Sequence, residues 1–175
     1  MQPRRKSCFQ TLNGHTYELW ASSGISWVDA NALATGPGSY LATFTSQAET
    51  DAVYGSLIGS GFFQAVNGQA NEAWLGGFTT DPNQSTTNPN AWAWVTGEQW
   101  TAFDAGNFGP GEPKGDSTGL AINRFGTTAW NDESGPVGGY IVEKESARIP
   151  DSASTLALPG SACTALAVFR RKLSL

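Results

Sequence analysis

The residues best equipped for chemistry lie between 109 and 116, in the stretch "GPGEPKGD". Glu112 and Asp116 bring two carboxylates into a loop rich in glycine and proline. Oxygen donors carried on a loop are what a hard cation such as calcium takes, six to eight at a time. Lys114 stands between the two acids. An ammonium about 4 Å from a divalent ion costs on the order of 8 kcal/mol at an effective dielectric of about 20. Two arrangements follow: the lysine swings its stem outward into water, or its ammonium takes the cation's place between the carboxylates.

Other chemistries have little to work with. The chain has one histidine, His15, and two cysteines, Cys8 and Cys163, with no Cys-x-x-Cys pair, so neither a zinc site nor a His-activated nucleophile is indicated. His15 reads as an ordinary strand residue. Paired carboxylates could serve as acid and base. No nucleophile–base pair, phosphate loop or cofactor motif accompanies them, and the chain reads as a binding protein, not an enzyme.

The elements that must position this loop follow from periodicity. "HTYELWAS" (15–22) alternates as a strand. "SWVDANALAT" (26–35) has Ser26 and Asp29 at capping-box spacing and predicts a short helix burying Trp27, Ala30 and Leu33. "SQAETDAVYGSLIG" (46–59) repeats the signature with Ser46 and Glu49, and predicts a second helix burying Ala52, Val53 and Leu57. Strands are expected at 73–80, 92–100, 119–125, 128–132 and 138–145, with "DPNQSTTNPN" as a surface loop. The order of strand, two helices and then several strands gives an α+β class.

The 175 residues suit one domain, and 39% hydrophobic residues with seven Trp and nine Phe provide for a packed core. Six of the ten basic residues fall in two end clusters, Arg4-Arg5-Lys6 and Arg170-Arg171-Lys172. Between residues 12 and 146 fourteen acidic side chains face three basic ones. Such a body repels phosphate backbones, so nucleic acid is not an expected partner.

Seven short motifs in order make the region from about 13 to 145 resemble a C-type lectin-like domain. They are Trp27-Val28-Asp29-Ala30, "GSYLATFTSQAE", Trp74-Leu75-Gly76-Gly77, Trp92-Ala93-Trp94-Val95-Thr96-Gly97, the run from Phe103 through Asn107-Phe108 to Glu112-Pro113-Lys114, Trp130-Asn131-Asp132, and Tyr140-Ile141-Val142-Glu143. The resemblance implies an α+β fold with two helices flanking short antiparallel sheets and a long loop region. Trp27, Trp74, Trp92 or Trp94, and Trp130 would then be core residues. The body lacks the family's usual disulfides, which places the resemblance closest to cysteine-free bacterial members.

In the sugar-binding members, a Glu-Pro-Asn loop, a later Glu and a Trp-Asn-Asp strand hold one calcium, and two sugar hydroxyls complete its shell. Carried over, Glu112, Asn131 and Asp132 match as metal and ligand contacts. Pro113 matches the family's cis proline, Lys114 replaces the Asn, and Asp116 is the nearest substitute for the later Glu. Calcium is therefore the implied cofactor, at a weakened site. The internal-cation alternative would have Lys114 tie Glu112, Asp116 and Asp132 together without it.

The tail "RIPDSASTLALPGSACTALAVFRRKLSL" (148–175) resembles a bacterial PEP-CTERM sorting tail of the kind handled by exosortases. The matching positions are Pro150-Asp151-Ser152, Ser154-Thr155, the apolar run from Leu156 to Phe169, and Arg170-Arg171-Lys172. That run is fourteen residues long and contains Pro159, Gly160 and Ser161, short for a membrane span.

The expected organisation is an N-terminal segment over 1–12 whose secretion signal is apparently missing, a domain over 13–146, and an anchor tail over 147–175. The expected protein is secreted or held at the surface or extracellular matrix of a bacterium, and meets the membrane only through the tail before sorting. Its expected function is carbohydrate binding through the long loops. The alternative is a calcium-independent protein-interaction or matrix module whose loops "DPNQSTTNPN" and "DAGNFGPGEP" contact an extracellular protein.

Overall fold

The structure, a computed structural model, describes residues 4–58, 61–62, 71–79, 87–115, 117–135 and 137–145. In chain order these form β1 (Arg4–Leu12), β2 (His15–Ile25), α1 (Trp27–Ala34), β3 (Ser39–Leu41), α2 (Gln47–Ile58), β4 (Ala73–Thr79), β5 (Trp92–Trp94), α3 (Ala102–Gly106), β6 (Gly119–Ile122), β7 (Trp130–Asp132) and β8 (Val137–Glu145). The expected tail, Cys163 and the loop "DPNQSTTNPN" up to Ser85-Thr86 lie outside the described residues.

The eight described strands make one sheet ordered β1-β2-β8-β4-β6-β7, with β3 added to β8 and β5 to β4. β4 and β8 run parallel, and every other pairing is antiparallel. Residues 4–12, set apart from the domain in the sequence reading, form β1 and extend the sheet by pairing with β2. The turn between them is Asn13-Gly14, with φ of 51° and 84°, the left-handed pair that a tight hairpin needs.

Alternation along the central strands makes two cores. Tyr17, Leu19, Leu75, Leu120, Ile122 and Ile141 point to one face, where Val53 and Leu57 of α2 cover them. Trp74, Ala121, Tyr140 and Val142 point to the other, under Ala30 and Ala34 of α1. The sheet therefore lies between the helices, which is why β8 is buried nearly along its whole length.

Both helices start where their caps predict. The Ser26 hydroxyl accepts the Asp29 amide at 3.1 Å, and Ser46 accepts that of Glu49 at 3.3 Å. Their buried faces differ in detail from the expected ones. Leu33 is 57% exposed, and α1 rests on the sheet through Ala30 and Ala34. Small side chains four apart let so short a helix lie close to the strands, and this turns Leu33 outward. On α2 the inward residues are Thr50, Val53 and Leu57, with Ala52 only half-buried.

The expected strand over 92–100 stops at Trp94, and a third helix, α3, begins eight residues further on. Its cap is a complete box, in which Thr101 accepts the Asp104 amide and Asp104 accepts the Thr101 amide. In β4, Gly76 is obligatory. A Cβ there would stand 2.6 Å from the Leu41 carbonyl oxygen, so a side chain would push β3 away. Among the described residues no helix is long and apolar enough to cross a membrane.

Candidate functional site

Residues 95–115 and 117–118, between β5 and β6, contain little regular structure apart from α3, and aromatic packing holds them. Trp130 of β7 is fully buried, with Trp94 and Phe103 edge-on at centroid distances of 5.4 and 5.9 Å and Trp100 at 5.9 Å. The Trp100 indole donates to the Pro89 carbonyl at 2.9 Å, which ties the preceding loop to the same cluster. Backbone bonds then fasten the loop to β7: Trp130 N–H donates to Asn107 C=O at 2.9 Å, and Gly109 N–H to Trp130 C=O at 2.8 Å.

From that attachment the chain rises into an arch. Glu112 N–H closes a turn onto Gly109 C=O at 3.0 Å, and the Glu112–Pro113 peptide is cis. The arch comes down on Asp132, whose two carboxylate oxygens accept the amides of Lys114 and Gly115 at 2.8 and 2.7 Å. The Glu112 side chain is 1% exposed, and Lys114 Nζ stands 2.8 Å from its Oε1, off the hydrogen-bonding direction. Burial pushes the Glu112 carboxyl up; the Lys114 ammonium opposes that and the neighbouring Asp132 adds to it.

Of the residues predicted for the site, Glu112, Pro113, Lys114 and Asp132 thus come together, while Asp116 lies outside the described residues. Asn131 goes elsewhere. Adjacent strand residues face opposite ways, so Asn131 turns to the side opposite Asp132 and donates to Glu133 at 2.9 Å and Glu72 at 3.5 Å. Arg124 closes this second group, with Nη1 2.7 Å from Glu133 and 3.4 Å from Glu72.

Burial and the Glu133 carboxylate raise Glu72 to about 7, against the pull of Arg124 and Asn131. The sequence reading did not single out Glu72, Arg124 or Glu133. The alternation of "WNDE" was the available signal, since it sets Glu133 on Asn131's side.

The arrangement bears on calcium. Both Asp132 oxygens are engaged by amides, an ammonium stands on Glu112, and the Asn131 amide is committed to carboxylates. This donor set does not fit a divalent ion, and among the described residues no group of three or more His, Cys, Asp or Glu side chains could hold one. It does fit hydroxyl groups. An ammonium 56% exposed above a buried carboxylate offers donors to a polyol.

At the far end of β8 lies a different buried acid. Glu143, 2% exposed, accepts the Thr43 amide at 2.9 Å and hydroxyl at 3.1 Å and the Tyr40 hydroxyl at 3.2 Å, and it meets His15 Nδ1 at 2.6 Å. Burial raises its pKa; Thr43 lowers it, Glu49 adds to the rise and His15 lowers it again. Glu49 accepts the Tyr17 hydroxyl and the Thr45 amide.

No family model matches the sequence, and no curated protein does either. Solved structures match the fold. The C-type lectin CEL-I from Cucumaria echinata superposes with a TM-score of 0.59 at 17% identity, over 78% of this chain and 94% of that one. The cow C-type carbohydrate-recognition domain of CD23, determined in the presence of GlcNAc2Man3 oligosaccharide, gives 0.58 at 16%, over 79% and 94%. A calcium-independent type II antifreeze protein gives 0.54 at 18%, over 83% and 97%. At such identities the likeness is one of architecture: the chain has the C-type lectin-like fold.

Proposed function

We propose that this protein is an extracellular ligand-binding module that recognises carbohydrate through the arch formed by residues 109–115, with the Lys114 ammonium serving where a calcium ion would otherwise balance Glu112. The observation that carries this reading is the Lys114–Glu112 pair itself, a donor-rich cation fixed over a buried acceptor on an arch braced by Asp132. The fold shared with a carbohydrate-recognition domain determined in the presence of an oligosaccharide supports the ligand class. On this reading calcium does not assist. The domain spans 13–146 together with β1, it acts in binding and not in catalysis, and the tail over 147–175 delivers it to a bacterial cell surface by PEP-CTERM sorting.

A glycan array read with calcium and with chelator tests the proposal. Selective binding that survives the chelator is expected. Binding that disappears with chelator would return the role to calcium. Silence on every glycan would favour the second reading, a calcium-independent protein-interaction module, to which the exposed Val28 and Leu33 on α1 lend some support.

A further inference from the structure

A groove of about 560 Å³ opens on the α1 side of the long loops. One wall is Trp27 and Val28 from the start of α1, and the other is Thr118, Glu133 and Ser134 from the segments bordering β6 and β7. The wall on the α1 side is stiff. The Trp27 indole donates to the Leu75 carbonyl at 2.8 Å, and a Cβ on Gly119 would come within 2.6 Å of its ring, so the indole lies directly on the backbone of β6. Val28 extends this apolar wall and is 70% exposed.

The lining from Thr118, Glu133 and Ser134 is polar. Thr118 and Ser134 are exposed and carry hydroxyls. Glu133, the acid in the groove, has its carboxylate engaged by Arg124 at 2.7 Å, by Asn131 at 2.9 Å and by the Gly135 amide. A fixed aromatic and aliphatic wall facing hydroxyls suits a ligand with an apolar face, a hydroxylated rim and no charge, and a neutral pyranose ring has those features. With Arg124, Asn131 and the Gly135 amide already on the Glu133 carboxylate, the groove offers no charged partner to a cation or an anion.

The groove is also continuous with the arch in sequence. Thr118 follows Gly115 by three residues, and Ser134 follows Asp132 by two. We propose that it is a second carbohydrate subsite, taking a neutral sugar ring of an oligosaccharide whose other end meets Lys114. This rests on the carbohydrate reading given above and adds a position to it.

The test uses the full chain, labelled with nitrogen-15 and titrated with chitotetraose, mannotetraose and cellotetraose. The expected result is that one of these shifts the Thr118 and Ser134 amides and the Trp27 indole signal as well as the Lys114 and Gly115 amides. Ser134→Trp, which fills the groove, and Val28→Asp, which removes its apolar lip, each weaken that binding about tenfold with the melting temperature kept. Trp27 is left intact because its packing on β6 makes its removal a folding defect. Shifts confined to Lys114 and Gly115, with affinity unchanged in both variants, overturn the subsite and leave the carbohydrate reading standing. No shift with any of the three sugars overturns both.

Discussion

Two groups of buried acids among the described residues solve one problem in different ways. On the long-loop side, Glu112, Glu72 and Glu133 are each set against a permanent cation, Lys114 or Arg124, that reaches in from a half-exposed position. At the far end of β8, Glu143 is surrounded mainly by neutral donors, an amide and hydroxyls from Thr43 and Tyr40, with His15 alongside. A carboxylate held by amides and hydroxyls needs those donors rigidly in place, and here they come from Tyr40 on β3 and from Thr43 just beyond its end. One held by a long cationic side chain tolerates an irregular backbone, because the stem spans the gap. Both solutions recur on either kind of backbone: Glu18, buried on β2, is held by Lys144 of β8 at 2.9 Å, and Asp132 on the long-loop side by two amides.

Replacing Glu143 with Leu should break the sheet-side group most severely, because it strands the buried Thr43 amide, although the Thr43 hydroxyl keeps Glu98 at 2.8 Å. A loss of about 3 kcal/mol in urea unfolding is expected. Arg124→Met should cost about 1–2 kcal/mol, less than for a fully buried pair because the guanidinium is 43% exposed. If the two losses come out reversed, permanent charge and not neutral hydrogen-bond donors dominates the burial of acids here.

The pH dependence sharpens the same contrast. Glu72 is raised from 4.5 to about 7 in the folded protein, so between those values the fold holds the proton more tightly than the unfolded chain does. Its contribution to stability is thus full below about pH 4.5 and is lost as the pH rises through about 7. Melting temperatures from pH 5 to 8 should fall with rising pH, and Glu72→Gln should flatten that fall.

Lys114→Asn should raise calcium affinity about tenfold in calorimetry, while moving stability by no more than about 1 kcal/mol, as expected of an exposed partner in an ion pair. No gain in affinity would mean that the amides on Asp132, and not the lysine, exclude the ion. Leu33→Glu on the outward side of α1 should change stability by less than about 0.5 kcal/mol. A larger loss would show that α1 packs through Leu33 after all.

Much of this architecture was legible in the sequence, because the forces that set it act between near neighbours. Ser26 with Asp29, and Ser46 with Glu49, mark helix starts within one turn, and the alternation in "AWLGG" and "GGYIV" marks strands that bury both faces. Trp74, Trp92, Trp94 and Trp130 of the motifs declared the core for the same reason, since side chains of that size find room only where packing is designed around them, whereas Trp27 is only half-buried and lines the groove. The arch was readable too, with Glu112, Pro113 and Lys114 placed over Asp132.

The tertiary structure alone decided what those residues meet. Asn131 and Asp132 are adjacent in the chain and were read as partners, yet the pleat of β7 sends them to opposite sides. Asn131 joins Glu72, 59 residues away, and Arg124 reaches the same carboxylate from 52 residues away. Likewise β1 joined the sheet and Leu33 turned outward through contacts that depend on where the whole chain folds back. Local sequence determines which way each side chain can point, and only the meeting of distant segments determines whether a carboxylate there faces a cation, a hydroxyl or another acid.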